Sequence, residues 1–401
     1  MPRNLPHSWR LLAPLALLLA GASCDSPTAI APPAAAARVT PAVNQETAAQ
    51  RWIALTRTIV GRQSFSPLAI ARVFALVSVA QHDAVVAATQ DTHGAPLASE
   101  AGAVAGAASA ILGALYPAEQ AAIDEQLAAD IAYFAASPFE HNADYAAGVG
   151  AGRNVATAVL ARAATDRSDA VWIGTVPTGP GLWTGTDPLS PLWGQVRPWV
   201  MSSGDQFRPP PPPAFGSPEF QSALAEVRQL SDNLTPAQLQ IAQFWQSGLG
   251  AGGPMGYFGD AASRLASAHN YREAATARMF ALLYTAIMDA SIGCWDAKFA
   301  YWYIRPFQAD PAINTPVGQP PFPSYPSAHS CLSSAAVGVL TDFFPEERTE
   351  LMAQVEEAGI ARLYAGLHYQ FDVEAGQALG FSVAQAVLRA APRLHEAIPL
   401  D

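Results

Sequence analysis

The chain contains very little lysine and very little cysteine for its 401 residues. Lys298 is the only lysine, and arginine supplies every other strongly basic side chain. Three cysteines are too few for a disulfide framework. If Cys24 is lipidated or removed, Cys294 and Cys331 remain, and the sequence leaves open whether they pair. Alternating runs of β-branched residues are also missing, so the sequence gives little support for strands.

Positive charge is scarce overall. The 33 acidic residues outnumber the 22 lysines and arginines, for a net charge of −11. This balance argues against nucleic acid or an anionic membrane surface as the partner. Five basic groups nevertheless fall within 71 residues: Lys298, Arg305, His329, Arg362 and His368. Their spacing indicates a small cationic pocket that holds a tetrahedral oxyanion inside an acidic body.

A long apolar run is absent from the N-terminus as well. The segment Leu11–Ala20 is shorter than the ~20 residues that span a bilayer, and Arg3 and Arg10 precede it. Small residues follow, as in a secretory signal. Cys24 resembles a bacterial lipoprotein acceptor, although a glycine stands three residues before it. We therefore expect a signal peptide over 1–24, a candidate lipid anchor at Cys24, and export to the periplasm or the extracellular space.

An internal duplication organises the chain. Residues 72–84 match 278–290 at an offset of 206, with seven of 13 positions identical. Residues 152–160 match 380–388 at an offset of 228. Alanine-rich helices inflate such matches, but a constant offset over several segments favours a true repeat. The second copy therefore carries 22 more residues between its matched helices.

Only the second copy carries the basic cluster. The interval between the matched helices of the second copy, which holds the 22 additional residues, contains Lys298, Arg305 and His329. Among the candidate site residues compared, only Asp372 has a counterpart of the same residue type in the first copy, which is Asp144. The first-copy counterparts of the five basic residues are Thr92, Ser99, Ala101, Phe134 and Glu140. The N-terminal copy therefore reads as a scaffold and the C-terminal copy as the catalytic part.

The predicted fold is all-α, with two internally duplicated helical bundles. Helices are predicted near 44–61, 67–88, 100–115, 118–136, 143–163, 219–230, 236–248, 271–300, 330–343, 347–364 and 372–390. The expected organisation is a disordered tether (25–42), an N-terminal scaffold bundle (43–165), a Trp/Pro-rich connector (166–216) and a C-terminal catalytic bundle (217–401). The connector ends in Pro209–Pro213, which favours polyproline II.

Each residue of the cluster suits one task in oxyanion chemistry. Arg305 and Arg362 are predicted to clamp the anion, because a guanidinium presents a planar fork of donors. Lys298 adds a compact charge. The Ser327 hydroxyl and the Ala328 backbone N–H can add neutral donors beside it.

Two histidines and one carboxylate complete the predicted site. His368 is the candidate nucleophile or metal ligand. His329 is the candidate general acid–base, because its ordinary pKa suits neutral pH. Asp372 follows His368 by four residues, so on a helix it shares that face and can fix the tautomer.

Three short motifs together resemble a known signature: Lys298-x6-Arg305-Pro306, Pro326-Ser327-Ala328-His329 and Arg362-x5-His368-x3-Asp372. They are similar to the type-2 phosphatidic acid phosphatase and vanadium haloperoxidase superfamily, in its bacterial haloperoxidase branch. The resemblance implies two four-helix bundles with vanadate at the end of the second. It also implies that His368 bonds vanadium axially and that His329 assists peroxide deprotonation. Ala328 stands where glycine is usual, and Ala361 where serine is usual.

The resemblance implies that the same oxyanion site could serve either of two reactions. A vanadium haloperoxidase would use hydrogen peroxide, a halide and an organic acceptor. The alternative is a secreted acid phosphatase that cleaves a phosphomonoester through phospho-His368. A binding protein without turnover is a third reading, which the paired histidines disfavour. Trp295 and Phe322 match the positions of a halide pocket, with ordinary aromatic packing as the alternative. For Asp83 and Asp289, at equivalent repeat positions, a structural role with an arginine or a helix end is predicted.

Overall fold

The computed structural model describes residues 46–63, 66–89, 97–135, 143–248, 253–391 and 396–399. The predicted signal peptide and tether lie outside these residues. The helices are α1 (Ala48–Gly61), α2 (Pro67–Ala88), α3 (Glu100–Leu115), α4 (Gln120–Ala135), α5 (Tyr145–Ala163), α6 (Pro218–Asp232), α7 (Pro236–Gln243), α8 (Pro254–Ala268), α9 (Glu273–Tyr301), α10 (Pro306–Ala309), α11 (Ala328–Phe343), α12 (Arg348–Tyr364) and α13 (Gln370–Ala390). No strand occurs in these ranges, apart from two isolated bridges, so the all-α prediction is confirmed.

Local sequence explains where many helices begin. Ser66, Ser99 and Ser327 cap α2, α3 and α11, because each hydroxyl accepts a hydrogen bond from a backbone N–H in the first turn. Thr47 and Thr235 form capping boxes with a glutamine three residues later. Proline occupies the first position of several helices, where its missing N–H costs nothing.

The repeat is visible in the helix packing. Helices α3 and α5 of the first copy cross as α11 and α13 do in the second. Gly152 meets the backbone of Ala103, and at the 228 offset Gly380 meets the backbone of Cys331; a Cβ at either glycine would overlap that carbonyl oxygen. The helices can therefore touch backbone to backbone in both copies, and the predicted internal duplication is confirmed.

The equivalent helices α2 and α9 pack against each other in the centre of the molecule. Both are long and apolar enough to cross a membrane by length and composition. Nearly all of each apolar window is buried inside the protein, as for core helices. One hydrophobic core includes residues of both copies. The boundaries set at 43–165 and 217–401 stay predictions.

Asp83 and Asp289 occupy equivalent sites on these central helices. Asp289 accepts hydrogen bonds from the backbone N–H groups of residues 199–201, at 2.8–2.9 Å. Asp83 accepts one from the N–H of Ile398, at 2.8 Å. Burial raises the pKa of Asp83 to about 7 and that of Asp289 to about 6. Both carboxylates therefore hold non-helical backbone, and the charge of Arg162 also acts on Asp289.

The connector ends in a proline segment that three tyrosines hold. The hydroxyls of Tyr301, Tyr303 and Tyr325 donate to the carbonyl oxygens of Pro209, Pro213 and Pro210, at 2.6–2.7 Å. A polyproline II backbone has no internal hydrogen bonds, so its carbonyls are available for such contacts. The connector is thereby fixed to the chain around Lys298 and around the second motif.

One substantial helix escaped prediction. Helix α8 follows Gly253, and its cap has no side-chain hydrogen bond. Glycines precede it in the sequence and recur inside it at Gly256 and Gly259, so the segment reads as a loop. The helix predicted over 236–248 ends instead at Gln243, and a π-helical turn continues to Gly248.

Candidate active site

Lys298 lies in the last turn of α9 and is fully buried. Its Nζ donates to the carbonyl oxygens of Pro323 (3.0 Å), Ser324 (2.8 Å) and Pro326 (2.5 Å). Burial lowers the pKa of Lys298 to about 8. The ammonium group therefore fixes the loop that leads into α11.

Arg305 caps the short helix α10 and is also fully buried. Its Nε donates to the carbonyl oxygen of Phe322 (3.0 Å), and its Nη2 donates to that of Pro323 (3.3 Å), which Lys298 also contacts. Its Nη1 lies 2.9 Å from the carbonyl oxygen of Leu367 and 3.1 Å from His368 Nε2. Burial lowers the pKa of Arg305 to about 10. The first and third motifs therefore meet at this guanidinium.

His368 is held between Arg305 and a carboxylate. Its Nδ1 lies 2.8 Å from Asp372 Oδ2. A guanidinium only donates, so Nε2 accepts from Arg305 and Nδ1 carries the proton toward Asp372. Burial and the nearby cations hold the pKa of His368 well below its ordinary value. The imidazole is therefore neutral, with the lone pair of Nε2 on the side of the cations.

Asp372 is itself held from two sides. Its Oδ2 accepts from the Ser324 hydroxyl (2.5 Å) and from the Tyr369 backbone N–H (3.2 Å). Burial raises the pKa of Asp372 to about 6. Ser324 was not singled out in the sequence. It orients the carboxylate that orients His368, an arrangement typical of histidines that bind a metal or a reacting atom.

Arg362 and His329 share one neighbouring segment, at the end of α7. Arg362 Nη2 donates to the carbonyl oxygen of Ala242 (3.0 Å), and its Nη1 donates to Gln246 Oε1 (2.9 Å). His329 Nε2 lies 2.8 Å from the carbonyl oxygen of Trp245, so this nitrogen carries the proton. Burial lowers the pKa of Arg362 to about 9. Burial, followed by Arg362 and the other cations, lowers the pKa of His329 to about 3.

The second motif forms the start of α11. Ser327 is its N-cap, and the Ser327 Oγ accepts from the backbone N–H of Ser330 at 3.4 Å. Ala328 and His329 are the first two helical residues, so their N–H groups belong to the open end of the helix. Such an end carries partial positive charge and is a ready anion site. Ala361, the second departure, is fully buried in α12.

Trp295 and Phe322 form an aromatic pair beside the cations, with ring centroids 5.0 Å apart. Lys298 Nζ lies 5.8 Å from the Trp295 ring and 5.2 Å from the Phe322 ring. The guanidinium carbon of Arg305 lies 5.0 Å from the Phe322 ring. The predicted halide-pocket residues therefore border the cluster, at distances suited to cation–π contact.

The charges of this cluster are unbalanced. Lys298, Arg305 and Arg362 are buried together, with Asp372 as the buried carboxylate beside them. In the part of the chain that the structure describes, the buried Nε of Arg362 has no hydrogen-bond partner. No group of three histidine, cysteine or acidic side chains suited to a metal cation is found there either. The donor set therefore fits an oxyanion.

Cys294 and Cys331 lie close to the cluster, and both are free, buried thiols. Cys294 Sγ lies 3.8 Å from the carbonyl oxygen of Pro326, the acceptor that Lys298 also uses. The pairing that the sequence left open is not formed. Cys331 belongs to the backbone contact with Gly380.

The structure thus brings together the three motifs from α9, the loop before α11, α12 and the start of α13. Sequence reasoning missed Ser324 and the 242–246 segment. Ser324 lies in a proline-rich stretch that gives no catalytic signal. The π-helical turn at Phe244–Gly248 is a feature common at functional sites, but its sequence reads as the end of an ordinary helix.

Comparisons with known proteins point to one superfamily. A family model described as the PAP2 superfamily matches residues 278–396. A non-specific acid phosphatase from Providencia stuartii is 30% identical over 194 residues, which cover 47% of this chain and 75% of the relative.

Solved structures resemble the chain over a greater length. A bacterial vanadium-dependent iodoperoxidase matches with a TM-score of 0.70 and 25% identity, over 85% of this chain and 96% of the other. A bacterial vanadium-dependent chloroperoxidase in its apo form matches with a TM-score of 0.66 and 13% identity, over 82% and 96%. The second likeness concerns the fold alone.

Proposed function

Because the chain belongs to the PAP2 superfamily and has the fold of bacterial vanadium haloperoxidases, we propose that it is a vanadium-dependent haloperoxidase. In this proposal it uses hydrogen peroxide to oxidise a halide, with vanadate as its cofactor. The observation that carries the proposal is the buried, unbalanced cluster of Lys298, Arg305 and Arg362 around His368.

The residues present fit vanadate. Arg362 Nε is a buried donor without a partner among the described residues, and an anion oxygen would satisfy it. Arg305 and Arg362 would hold oxygens, with the Ser327 hydroxyl and the Ala328 N–H as neutral donors. Lys298 would contribute its positive charge, because its three donors already bind backbone carbonyls. His368 would bind the central atom of the anion through Nε2, the nitrogen without a proton. When bound, vanadate supplies activation of hydrogen peroxide toward halide, which yields hypohalous acid.

The protein residues manage the proton and the surroundings. His329 would accept the proton of hydrogen peroxide. In the anion-free protein its pKa is about 3, because it is desolvated beside Arg362. An anion bound beside Arg362 would offset part of that positive charge and raise the pKa of His329. Asp372 keeps the proton of His368 on Nδ1. Trp295 and Phe322 would form an apolar halide pocket beside the cations.

A second candidate is an acid phosphatase, which the 30% identity to the Providencia stuartii enzyme favours. His368 Nε2 would attack phosphorus, and His329 would protonate the leaving alcohol. The haloperoxidase proposal ranks first because the peroxidase likenesses extend over more than four-fifths of the chain, whereas the phosphatase match covers 47%. Iodide is the halide to test first, given the 25% identity to an iodoperoxidase.

The test compares two reactions of one preparation. Purified protein is loaded with orthovanadate, and halogenation of a dione is followed with iodide, bromide or chloride plus hydrogen peroxide. Hydrolysis of an aryl phosphate is measured separately. Halogenation that depends on vanadate is the expected result. Phosphate release that vanadate inhibits, without halogenation, would replace the proposal with the phosphatase. Tight anion binding with neither activity would leave a binding protein.

A further inference from the structure

A cleft of about 590 Å³ lies beside the aromatic pair Trp295–Phe322. The connector contributes one wall, from Trp183 to Ser190. The segments 307–308 and 319–321 contribute the other. The volume lies within the range of ordinary small-molecule sites. None of the cleft residues belongs to the three sequence motifs.

The cleft shares a wall with the candidate active site. Leu189 lines the cleft, and its carbonyl oxygen accepts a hydrogen bond from Trp295 Nε1 at 3.1 Å. The Leu189 N–H donates to the carbonyl oxygen of Pro321, another lining residue, at 2.8 Å. Pro321 precedes Phe322, whose ring lies 5.2 Å from Lys298 Nζ. A single layer of residues therefore separates the cleft from the cations.

Gln308 provides a second link between the cleft and the site. Its Nε2 donates to the carbonyl oxygen of Thr184 (2.5 Å) and to the Thr184 hydroxyl (3.0 Å). Its Oε1 accepts from the backbone N–H of Arg305 at 3.3 Å. Gln308 therefore joins the two walls of the cleft and also contacts the backbone of the motif arginine, Arg305.

The lining suits one chemical class of ligand. Phe307 supplies aromatic surface, and three prolines add apolar surface. Trp183 also lines the cleft, although it is only 3% exposed. Asp187 is the charged residue of the lining, and it is exposed. The lining contains no lysine, arginine or histidine. Aromatic walls with a carboxylate at the rim favour an uncharged or cationic aromatic ring and disfavour an anion.

We propose that this cleft binds an electron-rich aromatic molecule, uncharged or cationic, as the organic acceptor of the reaction. This proposal rests on the proposed haloperoxidase function. Hypohalous acid formed at the site would react with a ring bound in the neighbouring cleft. A ring carbon takes the halogen, and the ring proton and the hydroxide leave together as water, so neither a further oxidant nor a reductant is needed.

The experiment uses two phenols of similar shape and opposite charge. Tyramine is a cation, and 3-(4-hydroxyphenyl)propionate is an anion. Binding of each to the full-length protein is measured by calorimetry, without vanadate, halide or peroxide. Tyramine should bind more tightly, and Asp187→Asn should weaken tyramine about two- to fivefold, as for an exposed charge pair. Thr186→Trp should remove measurable binding of tyramine, because it fills the cleft.

Glu125→Gln is the matched control. Glu125 is exposed on α4, outside the cleft, and its substitution changes the net charge equally. Tyramine affinity should be unchanged in this variant. Equal affinities of the two phenols, or equal effects of Asp187→Asn and Glu125→Gln, would overturn the proposed site.

Turnover separates this proposal from the function on which it rests. With vanadate, iodide and peroxide, Asp187→Asn should raise the KM for tyramine and leave the KM for iodide unchanged. If neither the wild-type protein nor any variant halogenates tyramine, but tyramine still binds at Asp187, the haloperoxidase function and the acceptor role both fail. If halogenation proceeds with unchanged KM for tyramine in Asp187→Asn and Thr186→Trp, the acceptor site fails alone.

Discussion

The two copies of the repeat share their backbone contacts and differ in their polar chemistry. In each copy a serine caps a helix and donates its backbone N–H to the carbonyl oxygen of an aspartate: Ser99 to Asp144 (3.0 Å) and Ser327 to Asp372 (2.9 Å). The structure therefore places Ser99 opposite Ser327, at the 228 offset, and not opposite Arg305. Yet Asp144 is exposed, and its side chain caps α5. Asp372 is buried and orients His368. One backbone arrangement thus serves as a helix cap in the first copy and supports a charged site in the second.

The start of the capped helix shows the same contrast. Helix α3 begins with Glu100, a carboxylate in its first turn. The equivalent position at the start of α11 is Ala328, and no acidic residue lies in that first turn. A helix N-terminus favours negative charge. In the first copy the chain supplies that charge itself. In the second copy no acidic side chain occupies this helix end, so an external anion can bind there, and the buried cations also attract it.

Removing His368 should have the largest effect on the second copy. In His368→Ala the group that bonds the central atom is lost, so turnover should fall on the order of 10³-fold or more. Vanadate should no longer remain bound after gel filtration, as measured by metal analysis. His269→Ala is the control, because His269 lies 3.2 Å from Glu346 at the surface end of α8. Full activity in His368→Ala would refute the proposal that His368 binds the central atom.

Arg362→Met should make the second copy more like the first, where Phe134 is the counterpart. Loss of the guanidinium fork should weaken oxyanion binding by about two orders of magnitude. The protein without a bound anion should nevertheless gain free energy of unfolding, because a buried charge without a carboxylate partner is removed. Denaturant unfolding with and without vanadate measures both effects. Arg153→Met, an exposed arginine of α5, should change neither. A less stable Arg362→Met protein would contradict the charge imbalance.

The aspartate pair allows a matched substitution. Asp372→Asn should lower turnover about 10- to 100-fold, because the amide no longer holds the His368 proton in place. Asp144→Asn should leave turnover unchanged, and it should alter stability little, because asparagine caps a helix as well as aspartate does. Initial rates and thermal unfolding of both variants are compared. Similar losses of turnover would show that the carboxylates act only through the fold.

The pH dependence of anion binding should show the smallest effect. The folded-state pKa of Lys298 is about 8, below its ordinary value of 10.5. The charge of sulfate does not change over this range. The affinity of the protein for sulfate should therefore fall as pH rises through about 8, by at most about tenfold per pH unit. In the anion-free protein the folded state binds fewer protons than the unfolded state between pH 8 and 10.5. Its stability should therefore rise with pH in that window.

Lys298→Met provides the comparison for both measurements. The variant should lose this part of the pH dependence, because the arginines of the cluster stay charged over this range. Sulfate calorimetry and urea unfolding at pH 7, 8, 9 and 10 measure the two slopes. Identical slopes in wild type and variant would mean that Lys298 keeps its charge throughout.

Much of this architecture follows from the sequence, because short-range rules govern it. Helices with a capping serine or threonine and apolar periodicity were predicted within a few residues of their ends. The duplication located the helix pairs, and motif spacing identified side chains that the structure brings together. Helix α8 was missed because it begins after glycines and lacks a side-chain cap.

Other parts of the site depend on long-range packing. Lys298 is held by three backbone carbonyls, and a backbone acceptor has no residue type to recognise. Gln246 reaches Arg362 because α7 passes into a π-helical turn, which the local sequence does not reveal. Ser324 can orient Asp372 only after folding brings the two residues together, because they lie 48 residues apart in the chain.

The tyrosine contacts to the proline segment make the site sensitive to the length of a distant connector. Each residue of a polyproline II helix advances about 3.1 Å. Deleting one proline between Pro209 and Pro213 would displace these three acceptors unequally relative to Tyr301, Tyr303 and Tyr325. Tyr301 is the last residue of α9 and Tyr303 follows two residues later, whereas Tyr325 precedes the proline whose carbonyl holds Lys298. A change of length here would misalign both flanks of the lysine at once, whereas substitution of any single tyrosine would leave two anchors in place.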